Sequence, residues 1–210
     1  MSGIFAKPEE IQYENSYGIK VMFLHGLEGR GPAGTKAKSL SAEWNALCPS
    51  LRTRELVSLR QKCDGQWSAL DQSDIDDAFE TPYSDARDAV RYGKPDLIVA
   101  SSMGAAILFK LIAEGEFTGT AVFCAAAIGN LLPDSYVDDV LLNKKDNFRA
   151  SVWLLGETDV VVSNKHNMRI AKALGGSVIV SPNDGHRLNK AVESNILNAA
   201  VLTAFELSSL

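Results

Sequence analysis

Pro95-Asp96-Leu97-Ile98-Val99-Ala100-Ser101-Ser102-Met103-Gly104-Ala105-Ala106 carries an apolar strand straight into a small-x-Ser-x-Gly turn. A second apolar, helix-forming run, Ala105 to Ala113, follows at once. Strand, tight turn with serine at its apex, then helix is the context a nucleophile elbow requires. The serine backbone in such a turn is strained, so the residues two positions to either side must be small. Ala100 and Gly104 meet that condition, and Ser102 is then held above the end of the sheet with its hydroxyl exposed. The five residues alone fit equally a buried strand followed by a helix whose N-cap happens to be serine, a favoured capping residue. The rest of the chain has to decide.

Outward from this turn, apolar runs alternate with helical patterns, with no internal repeat or low-complexity linker. Towards the N-terminus, Ile19 to Leu24 reads as a buried strand followed by a glycine-rich loop, Gly26 to Gly34. Thr35 is expected to cap a helix through Leu47, with Ala37, Leu40, Trp44 and Leu47 at helical spacing. Arg52 to Val57 is expected as a second, polar edge strand. From Ser58 to Tyr83 the signal is weak and reads as a solvated loop with a short helix. Its acidic cluster, Asp71, Asp74, Asp76, Asp77 and Glu80, lacks the central glycine of a calcium loop. Asp85 to Tyr92 reads as a helix stopped by Gly93-Lys94-Pro95.

Beyond the elbow helix, strands are expected at Thr120 to Ala127, Ser151 to Leu155 and Ser177 to Val180. A linking or cap-like segment, residues 129–150, separates the first two. A helix from Asn164 to Leu174 ends at Gly175-Gly176, and Leu188 to Leu207 forms a closing amphipathic helix. Strands alternating with crossover helices imply an α/β fold: a doubly wound, mostly parallel sheet with helices on both faces. In such a sheet the ligand site lies beyond the carboxyl ends of the strands.

Composition bounds the possibilities. At 210 residues the chain fits a single domain, 1–210, large enough to bury a sizeable core. A formal charge of -5, with no basic run beyond Lys144-Lys145, argues against a nucleic-acid surface. Met1 to Pro8 lacks a basic flank and long apolar stretch, and the longest apolar run, Ala121 to Ile128, is too short to cross a bilayer. Cys48, Cys63 and Cys124 form no short-spaced pair, which fits a reducing cytoplasm.

Four loops leave the carboxyl ends of predicted strands: His25-Gly26-Leu27, the Ser102 turn, Gly156-Glu157-Thr158-Asp159 and Asp184-Gly185-His186. The topology gathers them at one edge of the fold. A serine hydroxyl is a poor nucleophile at neutral pH and needs a base. Of the three histidines, His166 falls inside a helix as a surface residue, and His25 is suited to bracing its turn. His186, in a short glycine-containing loop, is free to lean over the sheet and is the favoured base. Asp159 is the favoured orienting carboxylate, with Asp134, Asp138 or Asp139 as the alternative set. Asp184 reads as a turn-forming residue and Glu157 as a loop-surface one. The backbone N–H groups of Leu27 and Met103 are the candidate oxyanion donors, with His25, Gly26 and Glu28 lining the site. Glu28 either lends the mouth a negative charge or points to solvent, with Arg30 in reach to neutralise it.

Together these residues resemble the α/β-hydrolase superfamily from Lys20 to the end of the chain. Ser102, Asp159, His186 is that superfamily's order. Val21-Met22-Phe23-Leu24-His25-Gly26 resembles its oxyanion loop, Leu155 to Val162 its acid loop, and Asp184-Gly185-His186 its histidine loop. The short chain and the Ala-x-Ser-x-Gly variant look most like the small, nearly capless bacterial esterase-like branch. Alanine at position 100 departs from the usual glycine, and 129–150 is too short for a full helical cap.

The resemblance implies a serine hydrolase of small carboxylic esters or thioesters, needing no metal or organic cofactor, and the cysteine usage places it in the cytoplasm. Its partner is then a small molecule, with neither nucleic acid nor membrane involved, and the oligomeric state is left open. The rival readings are a ligand- or partner-binding protein on the same fold, or a peptidase or lyase using the same three residues.

Overall fold

A computed structural model describes residues 15–29 and 31–208; Met1 to Pro8 and Arg30, both read above, lie outside them. Five strands form one sheet: β1 (Val21–Leu24), β2 (Leu97–Ser101), β3 (Thr120–Cys124), β4 (Ser151–Gly156) and β5 (Ser177–Ser181). They pair in chain order, and every pairing is parallel. β1 to β4 are wholly buried, as near-continuous apolar runs in a parallel sheet require. β5 leaves Val178 and Val180 exposed and forms one sheet edge.

Helices cover both faces. In chain order they are α1 (Thr35–Trp44), α2 (Arg54–Lys62), α3 (Gln72–Gly93), α4 (Met103–Ala113), α5 (Ile128–Leu131), α6 (Asp134–Asn143), α7 (Asn164–Ala173), α8 (Asn189–Glu193) and α9 (Ile196–Ser208). α4 packs on β1, β2 and β3 and is itself covered by α3 and α5. Every α4 residue except Lys110 is therefore buried, which explains a helix apolar all round. α1, α8 and α9 pack together, with α1 against β1 and α9 against β3 and β4.

Several expectations fail: α1 is preceded by Gly34 as its cap and stops at Trp44 rather than Leu47, β3 stops at Cys124 rather than Ala127, and three further elements differ. Arg52 to Val57 is not a strand; α2 begins at Arg54 and buries Leu56 with Leu59 packed against the core beside it. That three-residue spacing is helical. The edge of β1 is occupied instead by Leu47, which bonds through its N–H to Val21 O at 2.9 Å and through its carbonyl to Phe23 N at 2.8 Å.

The end of the weak region, from Gln72, and the helix after it are one long helix, α3, running through Pro82. Its buried residues, Ile75, Ala78, Phe79, Pro82, Tyr83, Ala86 and Val90, keep helical spacing across the proline. Proline breaks a helix by removing an N–H and crowding the preceding turn, and here burial of this stripe outweighs that cost. Asp74, Asp76, Asp77 and Glu80 of the cluster are the solvated face of α3, and Asp71 is its N-cap. The closing helix also divides, at Ser194 and Asn195, into α8 and α9. Segment 129–150 carries most of α5, all of α6 and a short helical turn, Lys145–Asn147.

Candidate active site

β2 ends at Ser101, and Ser102 adopts φ 55° and ψ −115°, a conformation sparsely populated by any residue with a side chain. Such strain, of order 1–3 kcal/mol, persists only where the surroundings over-determine it. They do so here. Ser102 N–H donates to Cys124 O on β3 at 2.9 Å, while Ser102 O accepts from Ala127 N at 3.1 Å and Ala105 N at 3.0 Å. The small residue at 104 is equally forced, because a Cβ there would lie 2.3 Å from Leu24 O. Ala100, in place of the usual glycine, is accommodated fully buried.

The strand-end loops converge on this serine. Ser102 Oγ lies 2.9 Å from His186 Nε2, and His186 Nδ1 lies 2.9 Å from Asp159 Oδ2. One neutral tautomer serves both contacts: Nδ1–H donates to the carboxylate, and Nε2 accepts the serine hydroxyl proton. Asp159's side chain is closed to solvent, and its other oxygen accepts from Val161 N at 2.8 Å and Val162 N at 3.1 Å. Burial pushes the Asp159 carboxyl up. The hydrogen bonds from His186, Val162 and Val161, with the His186 charge interaction, outweigh it and hold the group below the ordinary carboxylate value.

The loop bearing His186 is fixed to the loop bearing Asp159. Thr158 N and Oγ1 both donate to Asp184 O, at 2.8 and 2.9 Å, and a Cβ on Gly156 would lie 2.5 Å from Gly185 O. Asp184 itself, nearly fully buried, accepts from Ala191 N, Gly185 N and Ser181 Oγ. It is a turn-former, as its position before Gly185 suggested. Glu157 accepts from Asn183 N in the loop surface. The alternative acids are engaged elsewhere: Asp138 with Arg169 at 3.0 Å and Asp139 with Lys144 at 3.8 Å, while Asp134 lies in the first turn of α6.

His25 is buried and braces its own loop. Its Nε2 accepts from Leu51 N at 3.2 Å and its Nδ1 donates to Gly26 O at 2.8 Å. Gly26 then runs so close to the elbow that a Cβ on it would sit 3.2 Å from Ser102 Cβ. Among the described residues the N–H groups of Leu27 and Met103 donate to no protein acceptor. Met103 is the first residue of α4, where an N–H has no partner within the helix. His25→Leu leaves the Leu51 N–H unpaired in a buried position, so we expect a loss of about 1–3 kcal/mol in urea unfolding. An unchanged midpoint would mean that the brace contributes nothing. His166, expected at the surface, is half-buried with its ring packed on Gly129, and burial lowers its basicity.

These groups border a cavity of about 570 Å³. Asn130 and Leu131 of α5 reach its wall, so the segment 129–150 contributes its first turn. Asn130 also donates to Val161 O at 3.3 Å, tying α5 to the Asp159 loop. Glu28 lies at the rim, ion-paired with Arg60 and 3.9 Å from Arg187. Lys36, Arg60, Trp67 and Arg187 also line the cavity and were not singled out in the sequence. Only Arg187, next to His186, carried a positional signal. Another cleft, of about 630 Å³ and lined by Arg91, Asp96, Thr120 and Arg149, lies at the opposite ends of the strands.

No family model matches the sequence. No curated protein matches it either. Solved structures do. The chain is similar to the esterase Est1E from Butyrivibrio proteoclasticus, solved with ferulic acid bound, at TM-score 0.63 and 11% identity over 98% of this chain and 94% of that one. A protein assigned to the α/β superfamily of hydrolases from Xanthomonas campestris pv. campestris gives TM-score 0.58 and 16% identity, over 91% and 98%. A serine hydrolase from Cycloclasticus zankles gives 0.55 and 12%, over 88% and 89%. Identities this low speak for the fold, and the parallel sheet with helices on both faces agrees with them. The chain has the α/β-hydrolase fold.

Proposed function

We propose that this protein is a serine hydrolase of small carboxylic esters or thioesters, with Ser102 as nucleophile, His186 as general base and acid, and Asp159 as orienting carboxylate. The observation that carries the reading is the unbroken hydrogen-bond chain from Ser102 Oγ through His186 to Asp159, both links at 2.9 Å. The strained backbone at Ser102 supports it, since strain of this kind clusters at reacting groups.

Ser102 Oγ attacks the acyl carbon as its proton passes to His186 Nε2, and Asp159 stabilises the imidazolium. The oxyanion that forms is held by the N–H groups of Leu27 and Met103, which have no protein acceptor among the described residues and are fixed before the reaction begins. His186 then returns the proton to the departing alcohol or thiol, leaving an acyl-serine. Water, deprotonated by the same histidine, attacks the acyl-serine and releases the carboxylic acid. Three free cysteines fit a reducing compartment such as the cytoplasm, and among the described residues no helix is long and apolar enough to cross a membrane.

Intact-mass analysis after exposure to a fluorophosphonate tests the reading. We expect one stoichiometric adduct on the wild type and none on Ser102→Ala. A folded wild type that takes no adduct would overturn the assignment of Ser102 as an activated nucleophile.

A further inference from the structure

The cavity over Ser102 is basic in a chain whose formal charge is -5. Among the described residues Lys36, Lys38, Arg60 and Arg187 line it against one acid, Glu28. Glu28 is ion-paired with Arg60 and has Arg187 at 3.9 Å, so its charge is compensated within the rim. The two lysines have no such ion pair: among the described residues no carboxylate lies within 4.0 Å of either, and only the buried Asp184 acts on Lys36 from farther off. Both stand in the first turn of α1, where the partial charge of the helix disfavours a cation. Lys36 is half-buried, and its Nζ donates to the carbonyl oxygen of Arg187 at 2.6 Å. Stability alone would not collect cations here.

We infer that this basic edge selects esters or thioesters whose leaving group is negatively charged. The inference rests on the Ser102–His186–Asp159 reading. In acyl transfer the departing oxygen or sulfur takes its proton from His186 Nε2, so the leaving group lies on the His186 side of the cavity. Arg187 directly follows His186, and Lys36 is bonded to the carbonyl of Arg187. A carboxylate or phosphate on the departing group meets a net excess of positive charge at that place. The rim acid Glu28, held by Arg60, does not reverse the sign.

The test compares 4-carboxyphenyl butyrate with 4-carbamoylphenyl butyrate, which share an acyl group and nearly a shape but differ by one charge. Each kcat/KM is divided by the ester's imidazole-catalysed rate to remove intrinsic reactivity. At low salt we expect the carboxylate ester to be favoured by about tenfold, the lower end of what a focused field gives. Raising the ionic strength from about 0.02 to 0.5 M should erode that ratio as the Debye length shortens. The ratio should fall toward one in Lys36→Met and in Arg187→Gln. Damage to catalysis itself would lower both esters alike and leave the ratio standing.

A wild-type ratio near one, or a ratio that survives both substitutions, overturns the inference. Calorimetric titration of Ser102→Ala with the same two esters separates this result from the fate of the hydrolase reading. Tighter binding of the carboxylate ester, alongside a wild type that turns over neither, would keep the anion preference and defeat the hydrolase. Turnover with no preference in either measurement would do the reverse.

Discussion

Ser102→Ala is expected to lower kcat/KM for short-chain p-nitrophenyl esters by at least ~10³-fold while leaving the protein folded. The substitution removes only an oxygen. The elbow's main-chain bonds, from Ser102 N–H to Cys124 O and from Ala127 N to Ser102 O, do not use the hydroxyl. Thermal unfolding should therefore stay close to wild type. His186→Ala should cost about as much, and the double variant little more than either single one, because groups that act as a unit do not lose activity additively. Rates would be followed as p-nitrophenolate release, with enzyme in excess to detect residual turnover. Activity retained within tenfold in Ser102→Ala would sink the nucleophile assignment, and additive losses would mean the two side chains act separately.

The second large effect is expected at Asp159. Asparagine there keeps the size of the side chain but can neither stabilise an imidazolium nor favour the tautomer that leaves His186 Nε2 free to accept. We expect kcat to fall by roughly 10²–10⁴-fold. The same substitution has a signature in stability that a merely structural residue would lack. The folded protein holds the Asp159 carboxyl below its ordinary value, so the charged form stabilises the fold. That contribution is fully present above the unfolded value, about 3.9, and is lost as pH falls through the lower folded one. Unfolding free energies of wild type and Asp159→Asn should therefore differ most near neutrality and converge on acidification below about pH 4. A gap that stays constant with pH would show that the carboxylate's charge is not what the fold uses.

The strand–turn–helix around Ser102 was legible because its signal is local. An apolar run, small residues at 100 and 104 and a second apolar run are contiguous, and the structure reproduces them as β2, the turn and α4. Asp159 and His186 were legible because each follows a strand that its own apolar run announces. α3 was not, because its burial stripe straddles Pro82 and its acidic face dominates the composition. The region of α2 was misread as a strand because only Leu56 is buried there, too little for its period to show. The segment 129–150 was read by length as too short for a full cap. Its role in lining the cavity rests on Asn130 and Leu131 alone.

The sequence by itself determined the alternation of strands and helices, and with it which residues stand at strand ends. That follows because side-chain period and turn chemistry are written within a few neighbouring residues. Tertiary structure alone decided what those residues meet. Ser102 and His186 are 84 positions apart, and Lys36 and Arg187 are 151 apart. The elbow's conformation depends on a carbonyl of β3 and an N–H beyond it. No local pattern carries such pairings, because they arise from how a parallel sheet aligns the carboxyl ends of distant strands. The basic edge of the cavity is of this second kind, since apart from Arg187, which adjoins His186, none of its cations is notable until packing brings them to one wall.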